Sequence, residues 1–158
     1  MVQRPEPELD ELYRELILDH YKHPRHRDPL PHADVRAEGY NPVCGDEVDM
    51  QLAFDGDRLT GIALQSRGCS ISQASGSMMS GLVEGKPVRE IRRLSDEFKQ
   101  MLTDPDAPVP DDLGDLEALR GVGKFAVRVK CATLAWHTLA DGIDQHEQGN
   151  SAVTREEA

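Results

Sequence analysis

Apolar positions change their period along this chain, and each period predicts an element. Leu9, Leu12, Tyr13, Leu16 and Ile17, continued by His20 and Tyr21, recur at helical spacing, which predicts an amphipathic helix over residues 8–23 that Pro24 stops. Residues 25–32 hold two prolines and several charges and read as an exposed connection. From Val48 the period falls to two: Val48, Met50, Leu52 and Phe54 alternate with Asp49, Gln51 and Ala53, the pattern of a half-buried strand. Asp55-Gly56 supplies a tight turn, and residues 58–66 return as a second strand on Leu59, Ile62 and Leu64. Val35 and Ala37 predict a further strand before Gly39.

Beyond Cys69, the residues Ile71, Ala74, Ser75, Met78 and Leu82 line one helical stripe, while Ser72, Gly76, Ser77 and Gly81 keep the helix slim enough for another backbone to come close. Gly85, tolerant of positive φ, followed by Lys86-Pro87, ends that helix. Residues 88–102 are helical again, with a break expected near Ser95 as the cap of a second segment from Asp96. Residues 103–114 are rich in proline and aspartate and read as a solvated loop, and residues 116–122 as a short helix. Over residues 126–140 the apolar side chains Val127, Val129, Leu134, Trp136 and Leu139 fall on nearly every face, so this helix is buried. After Asp141 the chain is polar, mostly acidic and without periodicity, and disorder is expected. The expectation is one domain over residues 1–158, with a core over 8–141 and a disordered acidic tail.

Composition narrows the function classes. The longest apolar run is too short to cross a bilayer, and residues 1–10 lack the basic start and apolar stretch of a secretory signal, so a cytoplasmic protein is expected. A formal net charge of -11 argues against nucleic-acid or membrane-surface partners, which need lysine and arginine against phosphate. Three cysteines cannot all pair within the chain, which leaves free thiols or metal ligands.

Candidate chemistry gathers at Cys44-Gly45-Asp46, Cys69 and Cys131: a turn before a strand, a helix start and a helix interior that could converge on one point. Three thiolates and one carboxylate are four donors of the kinds that zinc accepts in tetrahedral sites. Helix amides after Cys69, and Arg128 three residues before Cys131 on the same helix face, would hold thiolates ionised. Alternatives stay open for single residues: a lone cysteine in an apolar helix, such as Cys131, is more often a buried small hydrophobe, and Asp46 fits a turn cap. His137, about 240° around the helix from Cys131, points away from it, and His20, His23, His26 and His32 read as surface or partner-contact residues.

The surrounding sequence adds a resemblance. Leu12-Tyr13, Ile17-Leu18-Asp19-His20-Tyr21 and Pro24-Arg25 resemble the opening of the SufU branch of the iron–sulfur assembly proteins, in the superfamily of IscU and the NifU N-terminal domain. Asn41-Pro42-Val43-Cys44-Gly45-Asp46, Gly68-Cys69-Ser70-Ile71-Ser72-Gln73-Ala74-Ser75 with Ser77-Met78-Met79, and Val127-Arg128-Val129-Lys130-Cys131-Ala132-Thr133-Leu134-Ala135-Trp136 are similar to its later blocks, in the same order. Lys130 stands where IscU scaffolds carry a histidine, and the proline- and aspartate-rich stretch resembles the insertion that separates SufU from IscU. Two positions depart from the family: Ala126, commonly proline, and Gly76, commonly alanine.

The resemblance implies an α+β fold, a small antiparallel sheet of about three strands covered on one face by helices. It implies zinc held by Cys44, Asp46, Cys69 and Cys131, with Arg128 as electrostatic support. The implied activity is that of a zinc-dependent sulfurtransferase and desulfurase activator: Cys44 accepts persulfide sulfur from a pyridoxal-phosphate cysteine desulfurase, freed when a desulfurase histidine replaces it on zinc, and the sulfur passes to downstream SUF scaffold proteins. A scaffold role, assembling a [2Fe–2S] cluster on the same residues with transient iron, is the alternative.

Overall fold

The computed structural model describes residues 7–104 and 106–156, with side chains from Tyr13 onward, so Leu9 and Leu12 of the first predicted stripe lie outside the described side chains. Helix α1 (Pro7–Lys22) leads into strands β1 (Val35–Asn41), β2 (Asp46–Asp55) and β3 (Arg58–Arg67). Helices α2 (Ser70–Val83) and α3 (Val88–Thr103), a 3₁₀ segment (Asp111–Lys124), helix α4 (Ala126–Glu147) and strand β4 (Ala152–Glu156) follow. The sheet runs β3-β2-β1-β4, antiparallel except where β4 lies parallel to β1.

Period two, interrupted by a register shift opposite Ala53-Phe54 that lies between Leu59 and Ile62, places Val35, Ala37, Val48, Met50, Leu52, Leu59, Ile62 and Leu64 on one buried face, while Arg36, Glu38, Tyr40, Glu47 and Asp49 face solvent on the other. Helices α2 and α4 cover the apolar face, and Trp136 of α4 stacks on Phe98 of α3 with ring centroids 5.4 Å apart. Each fully buried large apolar side chain of this layer contributes about 1.5–3 kcal/mol. Close approach depends on glycine: a Cβ at Gly39 would stand 2.1 Å from Thr138 Oγ1, and one at Gly76 would stand 2.8 Å from Leu64 Cδ1. The tight seat of α2 on β3 gives Gly76 a physical reason where the resemblance leads one to expect alanine.

Four expectations are corrected. The α+β class with helices on one face of the sheet holds, but the expected sheet of about three antiparallel strands has a fourth, β4, which pairs parallel with β1. The acidic stretch after Asp141 is ordered through Glu156: α4 continues to Glu147 with Gly142 and Ile143 buried, and an Arg155–Asp141 ion pair at 2.7 Å fastens β4 to α4. Helix α3 is unbroken, because Ser95 sits buried within one inward stripe of Ile91, Leu94, Phe98, Met101 and Leu102 rather than capping a new segment. His20 is buried, not on the surface: its Nδ1 meets Ser77 Oγ at 2.7 Å and its Nε2 meets Asp115 Oδ2 at 3.2 Å, while the Arg25 N–H donates to Ser77 Oγ at 2.9 Å. A proton on Nε2 satisfies all three contacts and joins α1, α2 and the 3₁₀ segment.

Candidate metal centre

Three chain segments meet at one end of the sheet. Between β1 and β2, fully buried Asn41 shapes the turn: its Oδ1 accepts the Val43 N–H at 3.0 Å and its carbonyl accepts the Gly45 N–H at 2.8 Å. Gly45, at φ 71°, completes the reversal, leaving Cys44 half-buried on the turn and Asp46, the first residue of β2, fully buried. At the end of β3, Gly68 adopts φ 126°, and a Cβ there would fall 2.0 Å from Asp46 Oδ1, so the position accepts glycine alone. Cys69 then caps α2, its sulfur accepting the Ser72 N–H at 3.4 Å and its own N–H donating to Asp46 Oδ1 at 2.9 Å. Cys131 arrives from α4, buried.

The donors are close together. Cys44 Sγ and Cys131 Sγ are 3.2 Å apart, the Cys44 thiol donates to Asp46 Oδ2 at 3.2 Å, and the Cys69 thiol reaches the same oxygen at 3.8 Å. The donor atoms of Cys44, Asp46 and Cys131 lie within 4.8 Å of one another, and Cys69 joins them through Asp46. Tetrahedral zinc with Zn–S near 2.3 Å and Zn–O near 2.0 Å requires edges of about 3.8 Å between sulfurs and about 3.5 Å between sulfur and oxygen. The observed separations fall within a few tenths of an ångström of those edges for Cys44–Asp46 and Cys69–Asp46, and the Cys44–Cys131 pair needs only to open slightly. Cys44, Asp46 and Cys131 therefore fit zinc nearly as they stand, and Cys69, outside their 4.8 Å span but 3.8 Å from Asp46 Oδ2, would complete the set by a shift of its side chain.

Burial, reinforced by hydrogen bonds with Asp46 and Cys44, pushes the Cys131 thiol far up, and burial also raises the Cys44 thiol. Protein alone thus holds these two thiols protonated, and a divalent cation is what would reverse that. The exposed Arg128 guanidinium lies beside the sulfurs of Cys69 and Cys131, and their proximity, Cys69 first, raises its pKa.

Of the five residues singled out from the sequence, Cys44, Asp46 and Cys131 form one close group, Cys69 lies beside it against Asp46, and Arg128 lies by the sulfurs of Cys69 and Cys131, while His137 stands outside the group. Asn41 and Gly68, which shape the site, were not singled out, although Asn41-Pro42 is a turn signature and Gly68 directly precedes a candidate ligand. Also unforeseen is an apolar rim: Val43 and Phe125 are each 62 % exposed and Val127 is 53 % exposed, on the turn and at the start of α4.

Comparison with known proteins gives this geometry a context. The zinc-dependent sulfurtransferase SufU of Bacillus subtilis is 42 % identical over 142 residues, covering 90 % of this chain and 96 % of that protein. The iron–sulfur cluster assembly scaffold protein IscU of Streptococcus pyogenes is 40 % identical over 135 residues, covering 85 % and 84 %. Among solved structures, the N-terminal part of a nitrogen-fixing NifU-like protein from Brucella abortus superposes with TM-score 0.79 at 26 % identity, covering 89 % of this chain and 97 % of that one. A putative iron–sulfur cluster assembly scaffold for the SUF system from Fervidobacterium islandicum superposes with TM-score 0.75 at 30 % identity, covering 82 % and 94 %. The model of the NifU-like N terminal domain matches residues 12–152, and the chain belongs to that family.

Proposed function

We propose that this protein works in iron–sulfur cluster assembly as a zinc-dependent sulfurtransferase, with Cys44 taking sulfur from a pyridoxal-phosphate cysteine desulfurase and passing it to a downstream SUF scaffold protein. The observation that carries the reading is the unequal burial of one donor cluster. Asp46 and Cys131 are sealed in the fold, at 0 % and 1 % exposure, and half-buried Cys69 is tied down as the cap of α2, whereas half-buried Cys44 sits on a turn between exposed Val43 and Gly45. Cys44, Asp46, Cys69 and Cys131 would hold the zinc, which when bound keeps its thiolates ionised near neutral pH.

In the transfer itself, the Cys44 thiolate attacks the outer sulfur of the donor's persulfide. A Cys44 Sγ–S bond forms, the donor's S–S bond breaks, and the donor cysteine leaves as a thiolate, so one sulfur atom moves with no net oxidation. The exposed apolar side chains of Val43, Phe125 and Val127 are the kind of surface that a protein partner covers. Arg128, facing Cys69 and Cys131, offsets negative charge in the cluster. Free thiols suit the reducing cytoplasm.

Incubation with desulfurase and cysteine, followed by mass spectrometry of sulfur adducts, tests the assignment. Adducts on Cys44 are expected in the unmodified protein, and equal uptake by Cys44→Ala would overturn the acceptor role. A second reading, a scaffold for a [2Fe–2S] cluster, draws on the same three-sulfur, one-carboxylate donor set and on the likeness to IscU. Anaerobically purified protein that is coloured and contains iron would favour it.

A further inference from the structure

A groove of about 940 Å³ lies between α1, the start of α2, the end of α3 and the 3₁₀ segment. Its floor is apolar, with Ile17, Leu18 and Ile71 half-buried and Met101 buried. Its charged lining is of one sign: Arg14, Arg120 and Lys124, all exposed, with no carboxylate among the described lining residues. In a chain of net charge -11 that is a local reversal. Salt bridges made by arginine among the described residues belong to Arg25, Arg92, Arg93 and Arg155, not to Arg14 or Arg120. One carboxylate borders the groove, that of Glu117, which accepts the Tyr13 hydroxyl at 3.2 Å; it offsets one of the three cations at most, and acidic residues more than about 8 Å away are largely screened at physiological salt.

Position joins the groove to the cysteine cluster. Ser70 and Ile71 of the lining directly follow Cys69, and Lys124 directly precedes the exposed Phe125 of the apolar rim. A protein seated over Cys44 and Phe125 therefore meets the open end of the groove. An apolar floor takes apolar side chains, and three cations without lining counter-charges take carboxylates.

We propose that this groove docks an acidic amphipathic segment of the cysteine desulfurase, one whose apolar side chains lie on Ile17, Leu18 and Ile71 and whose flanking carboxylates pair with Arg14, Arg120 and Lys124. This rests on the sulfur-transfer reading above only for the identity of the partner. Basic residues on the rim set the rate and salt dependence of encounter, and the apolar floor sets how long the complex lasts.

The test uses the full zinc-loaded chain and purified desulfurase, with calorimetric affinity and sulfur uptake at Cys44 measured side by side. Arg14→Glu/Lys124→Glu is expected to weaken binding by about tenfold or more and to lessen its salt dependence, with sulfur uptake at saturating desulfurase kept. Leu18→Asn, in the floor, is expected to weaken binding with little change in salt dependence. Arg89→Glu/Lys99→Glu makes the same net-charge change on α3 outside the groove and is expected to bind as the unmodified protein does. Unaltered affinity in both groove variants, equal loss in the α3 variant, or no complex with the unmodified protein would overturn the proposal. A complex weakened only by the groove variants, but without sulfur on Cys44, would support the groove and overturn the sulfur-acceptor reading instead.

Discussion

Replacing Gly68 by alanine should damage the centre without touching a donor. A Cβ at that position would lie 2.0 Å from Asp46 Oδ1 and 2.9 Å from Asp46 Cα, and the backbone holds φ 126°. Adopting that conformation with a side chain costs about 1–3 kcal/mol. Relief of the clash moves the Asp46 carboxylate off the Cys69 N–H, now at 2.9 Å, and losing such a charge-assisted bond in a buried place costs about 1.5–3 kcal/mol. Together these amount to roughly 2.5–6 kcal/mol, or on the order of 10 °C in melting temperature for a domain of this size. Gly81→Ala is the matched control: it lies in α2 with open space around it, so it should stabilise by about 0.5–1 kcal/mol. Thermal melts and zinc affinity by chelator competition would be measured on both. If Gly68→Ala melted like the unmodified protein and bound zinc as tightly, Gly68 would not be pressed against Asp46 and the account of how the turn and the helix start are locked together would fail.

Two further outcomes follow from the same structure. Burial raises the thiol pKa of Cys131 and of Cys44 in the metal-free fold, whereas unfolded thiols titrate near about 8.5. Below that pH both states hold these protons and no slope arises. Above it the unfolded chain releases protons that the fold retains, so stability falls as pH rises; urea denaturation of metal-free protein should show this between about pH 7.5 and 9.5, and a flat or rising profile would refute it. Ser77→Ala leaves the Arg25 N–H and His20 Nδ1 without their shared partner and should cost about 1–3 kcal/mol; a change below about 0.5 kcal/mol by chemical denaturation would mean that water replaces the hydroxyl at no cost.

Much of the fold was legible because its signals are local. The period-two run from Val48 and the Asp55-Gly56 turn correspond to β2 and β3, with Gly56 at φ 61°. Gly85, at φ 84°, follows α2 where its tolerance of positive φ placed it. What escaped depends on distant partners. Strand β4 is polar and lends only half-buried Val153 to the core, so nothing in its own residues says that it will pair with β1. Ser95 and His20 have the side chains of surface residues, and only the packing of α3 and the contacts of His20 with Ser77 and Asp115 put them inside. The donor cluster was legible in another way: no spacing rule joins positions 44, 69 and 131, and similarity to a known family brought them together before the geometry did.

The pairing of β4 with β1 also bears on how the chain reaches its fold. Position 36 pairs with position 152, so β1 has its second neighbour only after almost every other element has emerged from the ribosome. Through most of synthesis, the outer amides and carbonyls of β1 stay open to water and to other nascent chains, as an unguarded edge does. Closing that edge is a late, long-range event with a large loop-closure cost, and it comes after the hairpin of β2 and β3 has formed from neighbouring residues. The strand least visible in the sequence is thus the one that shields the growing sheet from its neighbours.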